Sequence, residues 1–430
     1  MIPSVLPGQP QLHYRDQALY LEDRRLSDLA REHGTPLYVY SQASMLQALA
    51  AYQRGFAGRR VQICYAMKAN SSLAVLQLFA QNGCGFDIVS GGELQRVLAA
   101  GGDPAKVIFS GVGKSRAEMR QALEAGIGCF NVESEAELEV LSEVAQAMGL
   151  RAPISIRVNP NVDAKTHPYI STGLKGNKFG IAHERTLDTY RRAAQLPGLR
   201  VVGIDCHIGS QITEETPYLD AMDRLLDLVQ AIEAAGIATI HHIDFGGGLG
   251  IDYNGDTPPA ADALWSRLLA KLDARGYGDR LLMIEPGRSL VGNAGVCLTE
   301  VLYLKPGEQK NFCVVDAAMN DLPRPAMYQA YHAIVPLDAA AKAPEQVYDV
   351  VGPICESGDW LGKDRSLAVA AGDMLAVLSS GAYCSSMGST YNTRARPAEV
   401  LVDGAQAHLI RAREGISDIF RCERLIPPKP

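Results

Sequence analysis

Lys68 stands where a lysine is chemically useful. It follows the apolar, strand-like run Val61-Gln62-Ile63-Cys64-Tyr65, within Cys64-Tyr65-Ala66-Met67-Lys68-Ala69-Asn70-Ser71. Lysine is rarely fully buried without a partner, and desolvation favours the neutral amine, the form that makes a Schiff base with a carbonyl compound. A lone lysine at a strand end also snorkels its amine to water, so position alone does not make it reactive. Four other polar residues share the placement. Asp87 lies in Gly85-Phe86-Asp87-Ile88-Val89, and Arg157, His207 and Glu285 stand at or just beyond the ends of the runs beginning at Ile154, Val201 and Leu281. Any one of them is an ordinary strand-end residue. Together they mark the C-terminal ends of strands, where α/β barrels carry their chemistry.

Each of these ends offers something different. Asp244-Phe245-Gly246-Gly247-Gly248-Leu249-Gly250 puts consecutive glycines after a strand, and their bare backbone lets N–H groups close on an anion. A tight turn reads the same way; the run is neither a GxGxxG fingerprint nor a Walker loop. Glu285-Pro286-Gly287-Arg288 sets a carboxylate close to an arginine. Such a carboxylate keeps a pyridine nitrogen protonated, and the arginine grips a phosphate or carboxylate bidentately, although a surface Glu–Arg turn has the same sequence. His207-Ile208-Gly209-Ser210 brings an imidazole able to stack on a planar cofactor. Far along the chain, Cys355-Glu356-Ser357-Gly358-Asp359 joins a thiol able to act as general acid to a carboxylate able to hold an ammonium. A lone cysteine is more often a small core residue, and the polar neighbours count against that here. Arg324-Pro325-Ala326-Met327-Tyr328 and Gly381-Ala382-Tyr383-Cys384 add a cation and phenols on what read as loops, the first stiffened by Pro323 and Pro325. No metal site is expected, because His241 and His242 are adjacent and point to opposite faces of an extended chain. A lysine, an anion cradle, a carboxylate and an imidazole together fit pyridoxal 5'-phosphate (PLP).

Positioning such residues takes a scaffold of repeated strands. Strand-like runs start at Leu37, Gln62, Gly85, Val107, Cys129, Ile154, Val201, His242 and Leu281, with helical patterns between them such as Glu133–Leu141 and Tyr218–Ala235. Repeated βα units imply a parallel sheet, and about eight in roughly 250 residues imply a closed (β/α)8 barrel. A doubly wound open sheet is the alternative that strand counting leaves open. After Arg288 the pattern changes to strands joined by turns, in runs starting at Val296, Asn311, Val347 and Met374. The expected fold class is therefore α/β: a PLP-binding (β/α)8 barrel over 36–288, and a β-rich domain formed by 289–430 with the N-terminal segment 1–35.

The chain has 430 residues, 47% of them apolar and 21% charged, which is globular composition. A net charge of −7 with no basic block argues against a nucleic-acid partner. Nine scattered cysteines without a framework suit reduced thiols and a cytoplasmic protein. No signal peptide or membrane span is expected.

The motifs in order resemble the bacterial diaminopimelate decarboxylases, a family of fold-type III PLP enzymes, over nearly the whole chain. The resemblance rests on Tyr65–Asn70, Phe86–Glu93, His207–Gln211, Gly246–Gly250, Glu285–Arg288, Arg324–Tyr328, Cys355–Asp359 and Gly381–Tyr383. It implies decarboxylation of meso-2,6-diaminopimelate to L-lysine and CO2, the last step of lysine biosynthesis, by a homodimer with shared active sites. It further implies that Lys68 holds PLP, that Asp87 belongs to the cofactor site, and that His207 stacks on the ring. Ser210, Gly247, Gly248 and the segment Glu285, Pro286, Gly287, Arg288 would hold phosphate and ring, with Glu285 at the pyridine nitrogen. Arg288, Arg324 and Tyr328 would grip the carboxylate at the non-reacting end of the substrate, Glu356 would meet the amino group there, and Tyr383 would touch both cofactor and substrate. Cys355 of the partner subunit would reprotonate Cα. Residues 161–180, with His167–Gly173 and Lys178–Gly180, resemble the family's mobile active-site loop. Within the same fold, decarboxylases of ornithine, arginine or lysine are the alternative, and a non-catalytic PLP-binding homologue is the other.

Overall fold

A computed structural model of the chain describes residues 5–163, 177–340 and 343–428. It divides into two compact units, one comprising Gln47–Ile251 and Asp256–Leu290, the other Met1–Leu46, Asp252–Gly255 and Val291–Pro430.

The first unit is a closed parallel barrel. Its strands are β1 (Val61–Ala66), β2 (Gly85–Ile88), β3 (Val107–Phe109), β4 (Cys129–Val132), β5 (Ala152–Asn159), β6 (Leu199–Asp205), β7 (His242–Asp244) and β8 (Leu281–Ile284). Each pairs in parallel with the next, and β8 pairs with β1, which removes the open-sheet alternative. The intervening helices begin at the rim where the strands end, and several starts are capped. Ser90 Oγ accepts from Glu93 N at 3.2 Å, Ser134 Oγ accepts from Glu137 N at 3.2 Å, and Ser115 with Glu118 forms a reciprocal capping box.

Inside the barrel, Cys64, Ile108, Cys129, Val202 and Met283 form one apolar cluster. Side chains on a strand alternate between faces, so the same faces recur two residues later. Ile108, Cys129 and Met283 are followed at that spacing by Ser110, Asn131 and Glu285. The apolar plug thus gives way to polar side chains toward the C-terminal rim.

The second unit is built on the strand Gly295–Lys305, which pairs antiparallel with Leu37–Ser41, Met374–Val377 and Asn311–Val315. Leu12, Leu19, Leu21, Leu26, Val296, Leu378 and Val400 share its core. Leu37–Ser41, read as opening the barrel, instead pairs with Gly295–Leu298 and, in parallel, with Ala398–Val402. All five of its residues are buried. A strand covered on both faces has no alternation to show which sheet it joins.

Candidate active site

The turn after β1 carries Lys68. Met67–Ala69 is a 3-10 turn, closed by Tyr65 Oη donating to Asn70 O at 2.9 Å. Ala66 N donates to Pro286 O at 3.0 Å, tying this turn to the end of β8. Lys68 Nζ hydrogen-bonds Asp87 Oδ2, and its side chain keeps 38% exposure while Asp87 is fully covered. Lys114 is the informative contrast. Its amine, 0% exposed, donates to Gly111 O, Asn131 O and Glu137 Oε1 at 2.7–2.8 Å. That lysine has spent all three protons on structure.

Beside Lys68 lies a buried acidic group. Asp205, Asp244 and Glu285 each bring an oxygen to within 4.8 Å of the others. Asn131 Nδ2 donates to Glu285 Oε1 at 3.3 Å and Ser110 Oγ at 3.2 Å. Arg157 donates to Glu133 Oε1 at 3.0 Å, and its Nε lies 3.9 Å from Asp205 Oδ2. Burial pushes Glu285 well above the carboxylate range, and the charges of Asp87, Asp244 and Asp205 push the same way. Asp205 rises for the same reasons, burial first and Asp244 second. Asp244 is pushed up to about 7, by burial and by Asp87, against the hydrogen bond it accepts from Gly246 N.

A stability test follows for the ligand-free protein. The folded state holds a proton on Asp244 that the unfolded chain, with an ordinary value of 3.8, releases. Its contribution is therefore full below about pH 4 and is lost as pH rises through about 7. Asn never ionises, so Asp244→Asn gains stability on the wild type across that window. Urea midpoints at about pH 5 and about pH 8 check this; the same difference at both values would refute it.

Three turns at the rim pack backbone on backbone. Gly246 and Gly248 have φ of 63° and 102°, and a Cβ on Gly247 or Gly248 would sit 2.1 Å from Glu285 O or 2.3 Å from Gly209 O. Only glycine fits there. Gly287 is less tight, 3.1 Å from Ala66 O on the same measure. Gly247 N donates to His207 Nδ1 at 3.2 Å, so the imidazole proton, when single, sits on Nε2. Burial, with the charges of Arg157 and Lys68, lowers the His207 pKa well below the ordinary value, and the ring is neutral. Arg288, buried, donates from Nη2 to Ser210 Oγ at 3.1 Å. Bare backbone and a guanidinium here suit a phosphate, the Glu285 carboxyl suits a pyridine nitrogen, and the Lys68 amine suits an aldehyde. The residues fit PLP.

The remaining expected site residues lie in the β-rich unit. Arg324–Tyr328, read as a loop, is a short helix. Pro323 stands at its N-cap and Pro325 in its first turn, where proline is tolerated because those N–H groups have no helical acceptor. Arg324 is buried and Tyr328 half-buried. Cys355 and Glu356 are exposed on a loop whose base is held by buried Asp359, which accepts from Met319 N and Ile354 N at 2.7 Å each. Asn392 Oδ1 accepts from Cys355 N at 3.1 Å, and Tyr391 Oη donates to Glu356 Oε1 at 2.7 Å. Tyr383 has a left-handed φ of 57°, a conformation that costs a non-glycine residue about 1–2 kcal/mol. Lys68, Asp87, His207, Ser210, Gly247, Gly248 and Glu285–Arg288 thus gather at one barrel rim. Arg324, Tyr328, Cys355, Glu356 and Tyr383 belong to the other unit.

Of the expected loop, His167–Gly173 lies outside the described residues. Phe179 stacks 5.0 Å from the Arg157 guanidinium, and Gly180 N donates to Glu133 Oε2 at 3.1 Å. Asn131, Asp205 and Asp244 join this rim beyond the expected residues, though Asp205 and Asp244 end their strands. The strand-end rule that picked out Glu285 applies to both.

The family described as pyridoxal-dependent decarboxylase, pyridoxal binding domain, matches residues 42–292. The diaminopimelate decarboxylase of Pseudomonas aeruginosa is 56% identical over 417 residues, covering 96% of this chain and 99% of the relative. That of Vibrio cholerae is 54% identical over 415 residues, with the same coverage. The crystal structure of the Helicobacter pylori diaminopimelate decarboxylase complexed with L-lysine is similar at a TM-score of 0.88 and 41% identity, over 93% of this chain and 99% of that one.

Proposed function

The chain belongs to the diaminopimelate decarboxylases, and from that premise we propose how its residues divide the work. It is a PLP-dependent carboxy-lyase that converts meso-2,6-diaminopimelate to L-lysine and CO2, the last step of lysine biosynthesis. The observation that carries the reading is one barrel rim holding a half-exposed lysine, a glycine cradle with a buried arginine, and a buried carboxyl.

Bound there, PLP supplies a ring that takes up the electron pair left when the carbon–carboxylate bond breaks. Lys68 would hold the cofactor through its amine, whose position Asp87 fixes. Gly247, Gly248, Ser210 and Arg288 would hold the phosphate, braced by Pro286 and Gly287. Glu285 would meet the ring nitrogen, and burial with neighbouring carboxylates would make a proton shared at that point favourable. His207 presents a neutral face, which adds no positive charge against a protonated ring. Arg288, Arg324 and Tyr328 would each offer donors suited to the carboxylate at the non-reacting end. Glu356 would bind the ammonium there, and Tyr383 would serve both cofactor and substrate. The Cys355 thiol gives its proton to Cα and recovers one from water.

A homodimer in which Cys355 and Glu356 serve the neighbouring subunit's site belongs to the same proposal, supported by the exposed setting of both. A cytoplasmic location goes with a biosynthetic step on a soluble amino acid. No helix of the described residues is long and apolar enough to cross a membrane.

The substrate decides between this reading and a same-fold decarboxylase of simpler amino acids. Groups built to bind a second amino-acid head are left unpaired by a substrate lacking it, which costs about 10⁴-fold in kcat/KM where such recognition is complete. CO2 release from meso-diaminopimelate should exceed that from L-lysine, L-ornithine and L-arginine by at least about 10²-fold. Equal turnover of any of the three overturns the assignment.

A further inference from the structure

We propose that His332 is a positioning residue for substrate recognition, fixing Arg324 for the far carboxylate, with Tyr253 completing the mount. The proposal rests on the reading that Arg324 meets that carboxylate.

His332 is fully buried, and its two ring nitrogens face different partners. Nδ1 lies 2.8 Å from Leu378 O. A carbonyl oxygen only accepts, so Nδ1 carries the proton. Nε2 is left with its lone pair, 2.9 Å from Arg324 Nη1, which only donates. The chain of bonds is therefore consistent for one tautomer alone: Arg324 Nη1–H to Nε2, and Nδ1–H to Leu378 O. An imidazole beside a guanidinium is an unusual choice of acceptor, because protonation of the ring would abolish it. What it supplies is direction without charge. A carboxylate in its place would compete with a substrate carboxylate for the same cation.

The backbone explains why the ring is so well placed. The helix Arg324–Tyr328 ends at Gln329, whose φ is +53°, and the chain turns back so that His332 returns beneath the first residue of that helix. Leu378 N donates to Ala333 O at 2.8 Å, and Ile334–Pro336 pairs antiparallel with Met374–Val377. His332 is thereby held at a sheet margin next to the carbonyl it bonds. Tyr253 covers one face of Arg324, with the guanidinium carbon 4.7 Å from the ring centroid. The same ring meets His332 edge-on, at 5.3 Å and 78°. One edge and one face of the guanidinium are thus assigned before a ligand arrives, and its plane is set. An arginine ordered in advance loses less rotamer freedom on binding, and its remaining N–H groups keep the geometry a bidentate carboxylate needs.

The test uses the PLP-loaded enzyme and two inhibitors, L-lysine, which retains the far amino-acid head, and 1,5-diaminopentane, which lacks its carboxylate. His332→Leu should raise KM for meso-diaminopimelate and the inhibition constant of L-lysine together, by about 10- to 100-fold, as for loss of a charged hydrogen bond. The constant for 1,5-diaminopentane and the cofactor's absorbance should stay within about 3-fold of wild type, as expected when only carboxylate binding is lost. His332→Gln, whose carbonyl oxygen reaches the Nε2 position, should recover most of the loss, and the shorter His332→Asn should not. If His332→Leu does not fold, the Gln and Asn pair decides. In an Arg324→Gln background the His332 substitutions should have no further effect. Wild-type L-lysine inhibition in His332→Asn, or equal losses for both inhibitors, overturns the proposal while leaving Arg324 in its role. Wild-type L-lysine inhibition in Arg324→Gln overturns both.

Discussion

Lys68→Ala lowers decarboxylation of meso-diaminopimelate by more than about 10³-fold and removes the visible absorbance of the lysine-bound cofactor. The size of the effect follows from the two tasks proposed for the side chain, holding the cofactor and releasing it to the substrate amine. Alanine also strips Asp87 of the cation it pairs with, and a buried acceptor left unsatisfied costs about 1–3 kcal/mol. Lys68→Arg separates the two consequences. A guanidinium keeps a positive charge near Asp87 but does not form the covalent bond to the cofactor. The arginine variant should therefore melt near wild type, judged by thermal unfolding without PLP, and still be inactive. Turnover in Lys68→Arg above about 10% of wild type would remove Lys68 from its covalent role. Residual absorbance in Lys68→Ala would call for another amine, and Lys114 is a poor substitute, since its three protons are already bonded and its side chain is 0% exposed.

The eight barrel strands were legible because each is a short apolar run bounded by turn residues, and the strand-end rule then located Lys68, Asp87, Arg157, His207 and Glu285. Leu37–Ser41 looked like a ninth run of the same kind and went to the wrong sheet, since full burial erases the alternation that would distinguish them. The two prolines around Arg324 pointed to a stiff loop, yet both fit the start of a helix. The surroundings of Arg324 had no local signal. Nothing about Tyr253 in its own stretch of chain indicates that its ring lies under Arg324, 71 positions on. His332 reads as an ordinary polar residue before a strand until Leu378 and Arg324 close on its two nitrogens. The acidic group of Asp205, Asp244 and Glu285 is likewise a product of strand pairing, which sets the ends of β6, β7 and β8 side by side.

Cys355→Ala should leave the cofactor absorbance intact and lower turnover by about 10²- to 10⁴-fold, the usual worth of a positioned proton donor. The reason lies in the setting of the thiol. Seven of the nine cysteines are buried, whereas Cys355 is exposed on a loop anchored by Asp359, next to a glutamate already bonded to Tyr391. An exposed donor needs something to close over it before it can deliver a proton to carbon rather than to water, and in the proposed homodimer that cover is the neighbouring subunit's barrel. Mixed dimers of Lys68→Ala and Cys355→Ala subunits contain one site with both wild-type residues and one with neither. Random assembly makes half of the dimers mixed, so about a quarter of wild-type activity should return from two inactive parents, by the symmetry of a two-fold dimer. Purified mixed dimers should reach about half. If each subunit completed its own site, every site in the mixture would carry one defect, and activity would stay at the parental level however long the subunits exchanged. Recovery therefore depends on the origin of Cys355 and not on the fold of either variant, which the retained absorbance of Cys355→Ala and the melting of Lys68→Ala report separately.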